Sequence, residues 1–196
     1  MKKDYAATSR NRDPILKVLK RVLPKEGLIL EIASGTGQHG LYFAEKMKSV
    51  RWQPTDSDPE MLASIRAWRE ESGLDNLLEP IALDVMEPWP VSRVDAIFNA
   101  NMIHISPWPC TEALMRGSRR ALSSAGLLVM YGPFMLGGQH TAPSNRSFDD
   151  SLRARNPEWG VRDLDEVRSL AAKYALEFLE SVQMPANNQM VIFRRR

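Results

Sequence analysis

The feature that most constrains this chain is the glycine spacing Gly35-x-Gly37-x-x-Gly40. It directly follows the short apolar run Leu28 to Ala33 and opens a segment that reads as helix through about Met47. Glycines at a strand-to-helix junction permit a tight turn and let backbone N–H groups approach a ligand. A chain built around such a junction needs neighbouring strands to pair with its first strand.

The rest of the sequence supplies them. Asp13-Pro14 opens an apolar-periodic helix through Val22, with proline in its first turn, ended by Pro24 and Gly27. Val50 to Thr55 reads as a second strand, Pro59 to about Glu71 as a helix, Leu78 to Leu83 as a third strand and Val94 to Asn99 as a fourth. A helix over Thr111 to Leu122 precedes a solidly apolar fifth strand, Leu127 to Tyr131. Asp163 to Tyr174 is helical in pattern. Leu176 to Met184 and Gln189 to Arg194 read as two last strands joined at Pro185-Ala186-Asn187-Asn188. This alternation predicts an α/β, Rossmann-like fold: a seven-stranded, mostly parallel sheet, helices on both faces and a C-terminal antiparallel hairpin. The rhythm breaks over residues 133–160, rich in Gly and Pro, which predicts a substrate-lid insertion over 133–162. Residues 1–26 form an N-terminal helix segment.

With 196 residues, 43% hydrophobic and 26% charged, the chain is expected to form one globular domain over 1–196. A net charge of +2 exerts no overall pull toward nucleic acid or membrane. The single cysteine, Cys110, excludes an internal disulfide framework and suits a reducing, cytoplasmic setting. No apolar run approaches membrane-spanning length. No clustered His/Cys spacing suggests a metal.

The glycine spacing serves NAD, FAD and S-adenosylmethionine alike, and Asp56, 19 positions after Gly37, suits the ribose of any of them. The discriminators are acids. Glu31 precedes Gly35 by four positions, where an incoming pyrophosphate would disfavour a carboxylate and a ligand bearing ammonium and sulfonium would favour one. Asp84 ends the third strand, where the exocyclic amine of an adenine would meet an acceptor. Glu31 to Gly37 (EIASGTG) resembles the first motif of class I methyltransferases, with Ala33 where many members have glycine, and Asp56 to Leu62 (DSDPEML) resembles their second acidic motif. A narrower likeness, to the methyltransferase-like 26 group, covers nearly the whole chain. It is carried by Arg10 to Leu16 (RNRDPIL), Trp52 to Asp56 (WQPTD), Asn101 to Pro107 (NMIHISP), Tyr131 to Phe134 (YGPF), Ser144 to Asp149 (SNRSFD), Arg155 to Asp163 (RNPEWGVRD) and Met184 to Asn188 (MPANN). These resemblances imply S-adenosyl-L-methionine as cofactor, held by Glu31, Ser34, Gly35, Thr36, Gly37, Asp56, Ser57, Asp84, Val85 and Asn99.

His104, just past the fourth strand, is the candidate to orient the acceptor or take its proton. A histidine that only bonds loop backbone is the alternative. Asn11, Arg12, Tyr131, Arg146 and Asp149 are expected to surround a small-molecule acceptor. Arg146, Arg153, Arg155 and Arg162 either read an anionic acceptor or pair with Asp149, Asp150, Glu158 and Asp163. His39 more plausibly caps or packs than catalyses. A nucleic-acid methyltransferase is the rival reading, disfavoured by near-neutral charge and by Asn99-Ala100-Asn101-Met102, which is not the Asn/Asp-Pro-Pro-aromatic motif of adenine amino methylation. A non-catalytic cofactor-binding module is the third.

Overall fold

The computed structural model describes residue 2 and residues 6–196. Among the described residues, nine strands and six α-helices follow one another as α1 (Ala6–Val22), β1 (Gly27–Ile32), α2 (Gln38–Lys46), β2 (Val50–Asp56), α3 (Pro59–Ser72), β3 (Ile81–Ala82), β4 (Val94–Ala100), α4 (Trp108–Ala121) and β5 (Leu122–Gly132). After these come a small hairpin of β6 (Met135–Leu136) and β7 (Gln139–His140), then α5 (Pro143–Arg155), α6 (Leu164–Lys173), β8 (Leu176–Met184) and β9 (Asn188–Arg195). Short 3-10 turns cover Met102–His104 and Pro185–Asn187.

Seven strands form one sheet in the order β3-β2-β1-β4-β5-β9-β8. β1 through β5 pair in parallel, and β9 runs antiparallel to both β5 and β8. The expected Rossmann-like architecture and C-terminal hairpin are thus present. Successive residues of each strand point to opposite faces. Leu30, Ile97, Met130 and Val191 enter a core covered by α4 and α6. Ile29, Phe98, Val129 and Ile192 enter another, covered by α1 and α2. Burial on both faces explains the near-continuous apolar strands.

Four boundaries differ from those read in the sequence, each for a local reason. Helix α1 begins at Ala6, so Pro14 lies inside it and Asn11 and Arg12 are helical residues, not chain ahead of the helix. The proline removes one helical donor, and bonds from Asn11 to the body of the protein hold the first turns in place nonetheless. The third strand shrinks to Ile81–Ala82 because Glu79-Pro80 interrupts it. Pro80 has no N–H to donate, and the Gln53 side chain takes the Glu79 carbonyl at 2.6 Å. β5 begins at Leu122, with a break in register where Ala125 adopts φ 60° before Leu127 resumes pairing. Residues 133–162 are not an irregular loop but the β6–β7 hairpin and helix α5. Among the described residues, no helix is long and apolar enough to cross a membrane.

Packing between α4 and the chain after β3 yields a test of sign. A Cβ on Gly117 would fall 2.2 Å from the Trp89 ring. Glycine to alanine inside a helix ordinarily stabilises by roughly 1 kcal/mol. Gly117→Ala is instead expected to destabilise by about 1–3 kcal/mol through overpacking. Thermal unfolding checks this, and an unchanged or raised midpoint contradicts the packing described.

Candidate active site

β1 pairs with β2 on one side and β4 on the other, and the chain order reverses there. Ligands of open α/β sheets bind in the crevice beyond the strand ends at such a switch point. The loop from Ala33 to Gly37 turns within that crevice, with φ of 54° at Ala33, 56° at Gly35 and 90° at Gly37. Gly37 is required twice over, because a Cβ there would also lie 2.9 Å from Ile65. Ala33 accepts a conformation that costs an L-residue roughly 1–2 kcal/mol. Ser34 fastens the loop to β2, donating its N–H to the Thr55 carbonyl (2.8 Å) and accepting from the Thr55 N–H on Oγ (3.1 Å). Thr36 is buried and bonds Gln38, while its carbonyl accepts from Ser64.

Asp56 ends β2 beside this loop. One carboxylate oxygen accepts the Gly35 N–H at 2.8 Å and the other the Asp58 N–H at 3.0 Å. Each oxygen retains a lone pair for a further donor, such as a ribose hydroxyl. Burial pushes the Asp56 carboxyl above its usual range, and those backbone donors pull it back. Ser57 is exposed next to it. Asp84 and Val85 lie beyond β3. Asp84 is exposed and accepts the Met86 N–H at 2.9 Å, whereas Val85 is buried. Asn99, at the end of β4, is 1% exposed, and its Nδ2 donates to nothing within the chain. A buried unpaired amide is costly unless a ligand meets it. These positions converge on the crevice and fit a cofactor with a ribose and an adenine.

Glu31 departs from expectation. Its carboxylate does not line the crevice openly but sits 2% exposed beneath α2, accepting the Trp52 Nε1–H at 2.9 Å. Gly40 passes so close that a Cβ there would lie 2.7 Å from Oε2. The third glycine of the spacing therefore serves helix-to-acid packing. Burial, only partly offset by Trp52, raises the Glu31 pKa to about 7.

His104 is also enclosed. Its Nδ1 accepts the Arg162 N–H at 3.3 Å, its ring meets Phe134 edge-on, and Nε2 is buried without a partner. Burial first, then the Arg162 charge, lowers its pKa to about 3. Burial thus favours the neutral imidazole, with Nδ1 already taken by loop backbone. The insertion is buckled onto it: Gly160 donates to the His104 carbonyl, and Arg162 to the Ile103, Ser106 and Glu158 carbonyls.

Asp149 is committed inside the insertion, to Val161 (2.7 Å), Arg153 (3.0 Å) and His140 (3.5 Å). Helix α5 buries Asn145, Asp149 and Leu152, one stripe of a helical period. Arg146 consequently faces solvent. Arg155 lies over the Trp159 ring. Asn145, not singled out in the sequence, ties α5 to the Asn187 carbonyl at 2.9 Å.

Three of the residues expected to surround an acceptor, Asn11, Arg12 and Tyr131, lie where α1, α2 and the end of β5 meet. Asn11 accepts from His39 Nε2 at 2.8 Å, and its amide donates to the Tyr131 hydroxyl oxygen. This one side chain joins α1, α2 and β5. His39 stacks on Phe43, and burial and the nearby Arg12 charge lower its pKa to about 4. Arg12 lies with Cζ 4.4 Å over the Tyr42 ring. The sequence assigns His39 a capping or packing role, and its stacking on Phe43 agrees with that.

A family model described as a protein of unknown function, DUF938, matches residues 2–195. The chain belongs to this family. The DUF938 chain is similar in structure to an O-methyltransferase family 2 protein from Planctomyces limnophilus in complex with apigenin, at 20% identity and a TM-score of 0.76, over 94% of this chain and 62% of that one. It is also similar to an O-methyltransferase family protein from Burkholderia thailandensis, at 12% identity and a TM-score of 0.82, over 96% and 57%. CalO1, a methyltransferase in calicheamicin biosynthesis in SAH-bound form, matches at 14% identity and a TM-score of 0.78, over 94% and 54%. The DUF938 chain spans little more than half the length of these structures. Its fold is the Rossmann-like fold of class I methyltransferases.

Glu31 sets a pH test. A carboxyl whose pKa rises from 4.5 to about 7 on folding binds its proton more tightly in the folded chain. Its contribution is therefore most favourable below the unfolded value and is lost as pH climbs toward 7, by roughly 3 kcal/mol in full. Glu31→Gln keeps an acceptor for Trp52 and removes that loss. The ligand-free variant should gain stability relative to the parent at about pH 8, and the difference should shrink toward about pH 5. A difference that does not change with pH contradicts the buried carboxylate described.

Proposed function

We propose that this DUF938 chain is an S-adenosyl-L-methionine-dependent methyltransferase that acts on a small-molecule acceptor. The observation that carries the reading is Asp56, held by the Gly35 N–H at 2.8 Å at the switch point, with lone pairs free for two ribose hydroxyls. Within the class, the motifs from RNRDPIL to MPANN support placement in the methyltransferase-like 26 group. The apigenin complex of one structural relative favours a small acceptor.

The proposed cofactor set is Ser34, Gly35, Thr36, Gly37, Asp56 and Ser57 along the glycine loop and β2, with Asp84, Val85 and Asn99 on the adenine side. Glu31 acts from below α2, as a buried negative charge near its N-terminus. When bound, the cofactor supplies an electrophilic methyl group on a sulfonium. The protein's part is to align the acceptor and keep water out, the main contribution to in-line transfer. Asn11 fixes the Tyr131 hydroxyl oxygen, so the hydroxyl proton stays available to an acceptor. Burial keeps Tyr131 protonated, and His39 and His104 are weak bases with pKa values of about 4 and 3. Residues 133–162 buttress the floor through His104, and α1 supplies the opposite wall.

Calorimetry with S-adenosylhomocysteine tests the cofactor. Binding is expected for the parent, and Asp56→Ala should weaken it by ~1–3 kcal/mol, about tenfold or more. Tight NAD binding with no response to S-adenosylhomocysteine refutes the assignment. Labelled methyl transfer into a cell extract tests the acceptor class: label in metabolites is expected, label in nucleic acid favours the rival, and none favours a non-catalytic module.

A further inference from the structure

We infer that the acceptor carries a small anionic group, a carboxylate or a phosphate, and that Arg12 is the residue that takes it. The inference rests on the methyltransferase reading and narrows its acceptor. Arg12 follows Asn11, whose side chain is fixed to His39 at the start of α2 and toward Tyr131 at the end of β5. Its guanidinium packs over the ring of Tyr42, one turn after His39 on α2, and its charge is felt at His39.

Charge pairing and burial separate this arginine from Arg153 and Arg162, and from the exposed Arg146 and Arg155. Arg153 pairs with Asp149, and Arg162 is spent on three backbone carbonyls. Arg21 pairs with Glu180, and Arg66 and Arg69 share Glu79. Among the described residues, no carboxylate lies within ion-pair distance of Arg12, and the adjacent Asp13 instead takes the Tyr42 hydroxyl. Arg12 Nε is buried and unbonded. Lys46, 5.7 Å from the same Tyr42 ring, is itself paired with Glu45. The field reaches the rim of the crevice, since the Arg12 charge is one cause of the lowered pKa of His39.

A half-buried guanidinium without an anion has given up hydration and gained little in return. Its planar fork matches a carboxylate or phosphate, and bonds to such a partner are about twice as strong as neutral ones. An acceptor bearing that group would be anchored by Arg12 while Asn11 and Tyr131 set its orientation.

The test titrates protein saturated with S-adenosylhomocysteine with benzoate, phenyl phosphate or uncharged benzamide. At least one anion should bind tenfold or more tightly than benzamide, and the tighter of the two tells carboxylate from phosphate. Arg12→Gln should abolish the preference, and Arg12→Lys should restore part of it. Equal binding of benzoate, phenyl phosphate and benzamide overturns the inference, as does a preference that survives in Arg12→Gln, or no binding of any probe. If Arg12 is only a clamp on Tyr42, Arg12→Gln lowers the unfolding midpoint and leaves any preference intact, which also overturns it. Failure of S-adenosylhomocysteine to bind in the first place is a separate result, and it removes the methyltransferase reading itself.

Discussion

The hydrogen bond from the Gly35 N–H to Asp56 joins the turn after β1 to the end of β2, and the site is organised around it. β1 is flanked by β2 and β4, so whatever follows β1 must turn at the reversal of strand order. Glycine at 35 and 37 lets the backbone make that turn, and Asp56 fixes where it goes. The same carboxylate is then left facing the crevice with unused lone pairs. A structural bond and a binding group are here one side chain.

Beneath this turn the protein tolerates a cost. Glu31 is a carboxylate under α2 with a single tryptophan donor, and its raised pKa records the penalty. Replacing it by a neutral group is the cheaper structural solution, so its presence points to a charge the site uses. Ala33 in a left-handed conformation and the unpaired amide of Asn99 are further local compromises in the same crevice. Other left-handed alanines and buried unpaired hydroxyls, at Ala125, Ala175, Thr111 and Ser118, lie away from this crevice.

Patterns with a short range were legible in the sequence. Glycine spacing located the turn, strand-end acids located Asp56 and Asp84, and the turn residues after Met184 located the last hairpin. What escaped depends on contacts between distant segments. Pro14 reads as a helix start until Asn11 is seen to bond α2 and β5. Residues 133–162 read as irregular chain until Asp149 is seen holding Val161, and Gly160 and Arg162 holding the His104 segment. His104 and Glu31 were found by position, but their burial, which decides their chemistry, is set by Phe134 and α2. Sequence alone does not say which side of α5 is packed, so the exposure of Arg146 was not legible either.

The central claim is that the crevice between β1 and β4 holds a methyl-donor nucleoside by way of Asp56. A crystal structure with S-adenosylhomocysteine tests it most directly. The account predicts both ribose hydroxyls on the Asp56 carboxylate, the adenine toward Asp84 and Val85, and the sulfur facing the Asn11–Tyr131 wall. A ligand bound elsewhere, or a ribose that leaves Asp56 bonded to backbone alone, would contradict it.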